Sequence, residues 1–167
     1  LTGEEVKAFL DVKGRAREKV LAYLLVYTAA RANEIRNIAW RDVKFDENLI
    51  HLRITKGGEP RHVDMHPALR VELMRWFNAQ QKQMDKHPVM REAFDKPGGD
   101  FVLMTYKGKQ MAPQSIWRSV KVRAARAGIR PRDAEPYDYA TKHPYYSKHR
   151  ADRPGENVSE VSPHWLR

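Results

Sequence analysis

The 167 residues suit one domain with a real hydrophobic core, and 31 basic against 21 acidic residues give a formal net charge of +10. That surplus favours a polyanionic partner, nucleic acid ahead of an anionic membrane surface. The absence of cysteine excludes a disulfide framework and a thiolate zinc site. The longest apolar run, around Val20–Ala30, is too short and interrupted to span a bilayer. Glu4 and Glu5 stand where a signal peptide would carry its basic region, so the cytoplasm is the expected location.

The opening LTGEEVKAFL predicts a helix: Thr2 as cap, Glu5 completing a capping box, and Val6, Phe9 and Leu10 as its apolar stripe. REKVLAYLLVYTAA predicts a second helix, apolar on most sides and therefore central. A short third helix is expected over 33–40, with Ile35 and Ile38 inward. The period then changes from helical to alternating. LIHLRIT (49–55), the turn KGGEP (56–60) and RHVDM (61–65) read as a β-hairpin, and a strand over 42–45 extends it to a small antiparallel sheet. From Pro67 the spacing is helical again, with Leu69, Leu73, Trp76, Phe77 and Met84 assigned to one face. DKHPVMREAFDKPGGD is a loop or a short helical piece, and FVLMT (101–105) a short extended segment. Pro113 opens a last helix with Ile116, Val120, Ala124 and Ala127 inward and Gly128 at its C-terminal cap. Residues 130–157 hold four prolines, four tyrosines and many charges without a period, and read as a long loop or insertion. The expected fold class is mainly α with a small antiparallel β-sheet (α+β).

Four basic residues stand out. Arg31, in TAARANEI, falls at a helix break flanked by small residues; its fork suits a phosphate, while local chemistry alone favours capping the C-terminal carbonyls of the preceding helix. Lys56 sits on a glycine-rich hairpin turn, a place for a solvated lysine or for one that reaches into a DNA groove. His164 and Arg167, in SPHWLR, share one face of a helix start with Ser162 as N-cap and Pro163 in the first turn. A helix N-terminus favours a bound phosphate, and a structural histidine beside a surface arginine is the plainer alternative.

In this order the pieces resemble the tyrosine recombinases, or phage integrases. TAARANEIRNIAWRDV is similar to that family's T-G-x-R-x-x-E-L-x-x-L-x-W-x-D-I block, ITKGGEPRHVDMHP to its lysine hairpin, SPHWLR to its H-x-L-R box, and LTGEEV to the usual start of its catalytic domain. The resemblance covers most of 1–129 and then 158–167. Ala29 stands where the family usually has glycine, and 130–157 is longer than the family's link into the box.

The resemblance implies cleavage of one DNA strand without metal, nucleotide or other cofactor, through a 3′-phosphotyrosyl bond that conserves the phosphoester energy. It places Arg31 and Arg167 on the non-bridging oxygens and His164 in proton transfer. Lys56 becomes the general acid to the 5′-oxygen, and Glu34 a brace for the arginine site. The family's tyrosine follows the H-x-L-R box; Tyr137, Tyr139, Tyr145 and Tyr146 precede it and are read as loop residues. The expectation is therefore a partial catalytic domain over 1–167 that binds duplex DNA as a monomer without cutting it. The parent would work as a homo-tetramer on DNA, with no membrane partner. Competing readings are a non-catalytic, basic, helical DNA-binding module, an RNase-like enzyme using His, Lys and Arg, and a protein-interaction scaffold.

Overall fold

A capping box sets the entry of the chain: Thr2 Oγ1 accepts the Glu5 N–H at 3.2 Å, and the Glu5 carboxylate accepts the Thr2 N–H at 2.8 Å. From there α1 runs over Gly3–Asp11. The computed structural model describes residues 2–53 and 59–129. The expected segment 130–157 lies outside them.

No basic residue lies in the last turn of α1. Its terminal carbonyls are taken instead by Arg123, from the last described helix. Arg123 Nε donates to Phe9 O at 2.6 Å, and Nη2 donates to Leu10 O at 2.7 Å and Val12 O at 2.9 Å. Burial pulls this guanidinium below its ordinary value, opposed by the negative charge of Glu18 and, more weakly, by Tyr23, Glu72 and Asp11.

Helix α2 (Ala16–Thr28) buries Val20, Leu21, Ala22, Leu24 and Leu25, more than one face, as a central helix must. It packs on α1, on α3 (Ala32–Arg36), on α4 (Pro67–Lys86) and on α6 (Pro113–Arg126). Helix α3 ends four residues before the expected boundary. Ile38 is buried beyond its end, and Ala39 forms an isolated bridge with Phe101, so the chain has left the helix by then. A 3₁₀ turn, Trp40–Asp42, leads into the sheet.

The sheet is three-stranded and antiparallel in the order β1 (Val43–Lys44), β2 (Leu49–Leu52), β3 (Arg61–Asp64). Its strands are shorter than the sequence predicts, but the pairing is the expected hairpin plus one edge. Asn48 takes the left-handed conformation in the β1–β2 turn, φ 53°, which asparagine tolerates.

On α4, Leu69, Leu73, Trp76 and Met84 are buried as predicted, but Phe77 is 37% exposed and belongs to the flank. The position between Trp76 and Met84 on the inner face is taken by Gln80, fully buried. The reason is the segment 101–104, which bends at Val102 and Leu103 where an extended segment is expected, and pairs only at single bridges, Phe101 with Ala39 and Met104 with Gln110. Its carbonyls lack a ladder and take side-chain donors from α4. Trp76 Nε1 donates to Val102 O at 2.7 Å, and Gln80 Nε2 donates to Phe101 O at 3.2 Å and Val102 O at 3.3 Å. Trp40 Nε1 closes the network on Gln80 Oε1 at 2.6 Å. The preceding segment contains α5 (Pro88–Asp95). Helix α6 ends in a Schellman arrangement: the Ile129 N–H reaches Ala124 O at 3.0 Å and the Gly128 N–H reaches Ala125 O at 3.1 Å, with Gly128 at φ 73°. No helix among the described residues is long and apolar enough to cross a membrane.

Helix α2 is followed by a strained residue. Ala29 has φ 48° and ψ 25°, left-handed values that cost an L-residue with a Cβ free energy. Ala29→Gly is expected to stabilise the fold by about 1 kcal/mol, measured as a higher urea midpoint at unchanged m-value.

Candidate active site

Arg31 is the N-cap residue of α3, with φ −70° and ψ 153°. Its backbone is held from both sides. Upstream, the Thr28 hydroxyl donates to Leu24 O at 2.6 Å and accepts the Ala30 N–H at 3.1 Å, closing α2 with its own side chain. Downstream, Glu34 accepts the Arg31 N–H at 2.9 Å, and Ile35 and Ile38 anchor the segment in the core. The side chain is much freer than the backbone. It is 37% exposed, and its closest charge partner is Glu34, with Nη1 3.9 Å from Oε1. Among the described residues no carbonyl of α2 accepts from this guanidinium. The reading of Arg31 as a C-terminal cap of α2 therefore gives way, because Thr28 already does that work.

Glu34 is 5% exposed at its side chain and serves two arginines. Besides the Arg31 N–H, its Oε2 accepts from Arg61 Nη2 at 3.0 Å. Arg61 opens β3, and the register explains how it gets there. Leu52 pairs with Arg61 and Ile50 with Val63, so Arg61 shares the sheet face of the buried Ile50 and Leu52, the face turned to the helices. A slip of one residue would put it on the opposite face beside His51 and His62, whose rings meet edge to face at 4.4 Å. The sequence reading passed over Arg61. Its alternation with Val63 was visible, but a polar residue at the end of an inward row takes meaning only from the carboxylate across the gap.

The next link is Asp42, also buried, whose Oδ2 accepts the Ala39 N–H at 3.1 Å and whose Oδ1 is paired with Arg53 Nε. Arg36 on α3 donates to Gln110 Oε1 at 3.3 Å, and Gln110 Nε2 donates to Asn37 Oδ1 at 2.9 Å, fixing the end of α3 to the segment before α6. The arrangement is a rigid junction that presents guanidinium groups around one carboxylate. Two guanidinium groups against one carboxylate leave one unit of positive charge, which suits an anion with several oxygens, such as a phosphodiester. Among the described residues no group of three or more His, Asp or Glu side chains is arranged to hold a metal.

Of the residues singled out in the sequence, Arg31 and Glu34 come together here. Lys56, His164 and Arg167 lie outside the described residues, as do Tyr137, Tyr139, Tyr145 and Tyr146. Removing the carboxylate would strand two cations and one N–H. Glu34→Ala is expected to destabilise the fold by about 2–3 kcal/mol and Glu34→Gln by about half of that, read from chemical denaturation.

Known proteins match the chain. The model of the phage integrase family matches residues 1–144. The tyrosine recombinase XerA of Pyrococcus furiosus is 28% identical over 133 residues, covering 78% of this chain and 42% of that protein. The tyrosine recombinase XerD of Bifidobacterium longum is 27% identical over 137 residues, covering 77% of this chain and 43% of that protein. The chain thus spans less than half the length of these curated relatives. A crystal structure of XerA recombinase superposes with a TM-score of 0.64 at 17% identity, covering 98% of this chain and 55% of that one. XerH site-specific recombinase, bound to palindromic difH substrate in a post-cleavage complex, superposes with a TM-score of 0.61 at 21% identity, covering 78% and 36%. Both likenesses lie in the fold.

Proposed function

The chain belongs to the phage integrase family, the tyrosine recombinases, and from that premise we propose that it supplies the phosphate-handling part of a DNA strand-cleavage and rejoining site. The observation that carries this reading is the Arg31 junction: a backbone fixed by Glu34 at 2.9 Å, carrying a guanidinium that lies 3.9 Å from the same carboxylate and is left 37% exposed to meet a ligand. Attack on a phosphodiester builds negative charge on the non-bridging oxygens. A preorganised donor at that place is worth roughly 3 kcal/mol of barrier. On this reading Arg31 and Arg167 hold those oxygens. His164 assists transfer of the nucleophile's proton, and Lys56 protonates the 5′-oxygen that leaves. Glu34 keeps Arg31 aimed and takes no proton.

The nucleophile is a tyrosine that forms a 3′-phosphotyrosyl bond and releases a 5′-hydroxyl, which on a partner strand can attack in turn. Each step forms one P–O ester bond as another breaks, first tyrosyl for 5′-oxygen and then 5′-oxygen for tyrosyl, so no nucleotide is consumed. Within these 167 residues no tyrosine follows the SPHWLR box. On this reading these residues bind duplex DNA, and the recombinase works as a homo-tetramer on its recombination site. The relative crystallised with its DNA substrate, XerH, makes duplex DNA the first partner to test. The basic surplus of the sequence supports the same partner.

Duplex binding by this chain should fall at least about tenfold between 50 and 200 mM salt, as neutralised phosphates release counterions. Arg31→Ala should weaken it, and a flat salt response would overturn the reading. A suicide substrate that traps the phosphotyrosyl bond should give no covalent adduct with these residues, and an adduct would assign the nucleophile to a tyrosine within them.

A further inference from the structure

Arg61 is placed to do more than tie the hairpin to α3. Its guanidinium uses Nη2 on Glu34 Oε2 at 3.0 Å, and the side chain is 44% exposed. Among the described residues its Nε and Nη1 donate to nothing, which leaves most of a five-donor fork for a ligand. A purely structural arginine in this molecule looks different. Arg123 is 4% exposed and commits Nε and Nη2 to three carbonyls. Arg61 commits one donor to Glu34 and is exposed like Arg31, with which it shares that carboxylate. The distances are 3.0 Å from Arg61 to Oε2 and 3.9 Å from Arg31 to Oε1.

We infer that Arg61 is a second DNA-contacting arginine, holding a backbone phosphate beside the one held by Arg31, with Glu34 setting the spacing of the two forks. This rests on the function proposed above and adds to it a residue on the sheet. Charge balance favours it. Among the described contacts of this junction two guanidinium groups meet one buried carboxylate, and a phosphate there would add negative charge through charge-assisted bonds. Geometry favours it as well: a β-strand and a helix start bring their guanidinium groups to the two oxygens of one carboxylate, Arg61 to Oε2 and Arg31 to Oε1, so both cations lie within reach of one stretch of phosphate backbone.

The test is duplex binding by this chain as a function of salt, with Arg61→Gln and Arg61→Lys beside the unaltered protein. Glutamine keeps an N–H for Glu34 and removes the charge, so the junction persists while a phosphate contact is lost. Arg61→Gln is expected to reduce the slope of log K against log salt by about 1 and to weaken low-salt binding by roughly three- to tenfold. Arg61→Lys is expected to keep the slope and lose about threefold through the missing fork. Melting curves accompany both. If Arg61→Gln folds and its slope and affinity equal those of the unaltered chain, the inference is overturned. Should Arg61→Gln fail to melt cooperatively, the lysine variant decides: affinity equal to the unaltered chain overturns the inference, and a threefold loss at equal slope supports it. A salt-insensitive unaltered chain would instead sink the DNA-binding reading itself, so the two failures are told apart.

Discussion

The carboxylate of Glu34 is the constraint on which the site depends. A carboxylate at 5% exposure is tolerated only because its oxygens are answered by the Arg31 N–H at 2.9 Å and by Arg61 at 3.0 Å. The first of these contacts is local, three residues along the chain. The second spans 27 residues and crosses from helix to sheet. One side chain therefore sets the start of α3, the approach of the hairpin and the direction of a guanidinium. The hairpin register is part of the same constraint, because only the face that carries Ile50 and Leu52 brings Arg61 to Glu34.

A second theme is the use of long polar side chains as backbone partners. The sheet is only two to four residues per strand, and much extended chain around it has no ladder. Arg123 closes the end of α1, Trp76 and Gln80 take the carbonyls of Phe101 and Val102, Arg17 donates to Met104 O at 3.0 Å, and Arg70 donates to Phe45 O. Their apolar stems lie along the core while their heads satisfy the main chain. This changes how the charge of +10 is to be understood. Arg17, Arg53, Arg70 and Arg123 are engaged within the fold, so the surplus is not a uniform basic coat. The cations available to a polyanion are selected by burial and pairing, and Arg31 and Arg61, at 37% and 44% exposure beside one carboxylate, remain among those within its reach.

Ala29 illustrates the boundary between local and global information. Its left-handed conformation explains a glycine preference at that position in physical terms: the chain passes from α2 to α3 in three residues, and a Cβ resists the required φ. The surrounding contacts, Thr28 on Leu24 O and Glu34 on the Arg31 N–H, hold the turn in spite of the alanine.

Local chemistry made the helix starts at Thr2, Pro67 and Pro113, the glycine cap at Gly128, the hairpin and the mainly helical class readable from the residues alone, since each depends on neighbours within a few positions. The Arg31 and Glu34 pair was readable too, because three residues at a helix start face each other. Other features waited for the tertiary structure. FVLMT made single bridges instead of a strand, and the inner face of α4 therefore carries Gln80, which answers Phe101 and Val102, while Phe77 lies on the flank. Arg61 became part of the site only when β3 was set against α3. In each case the deciding partner is a backbone carbonyl or a carboxylate more than twenty residues away, and period and propensity carry no information about which distant polar group will need a donor.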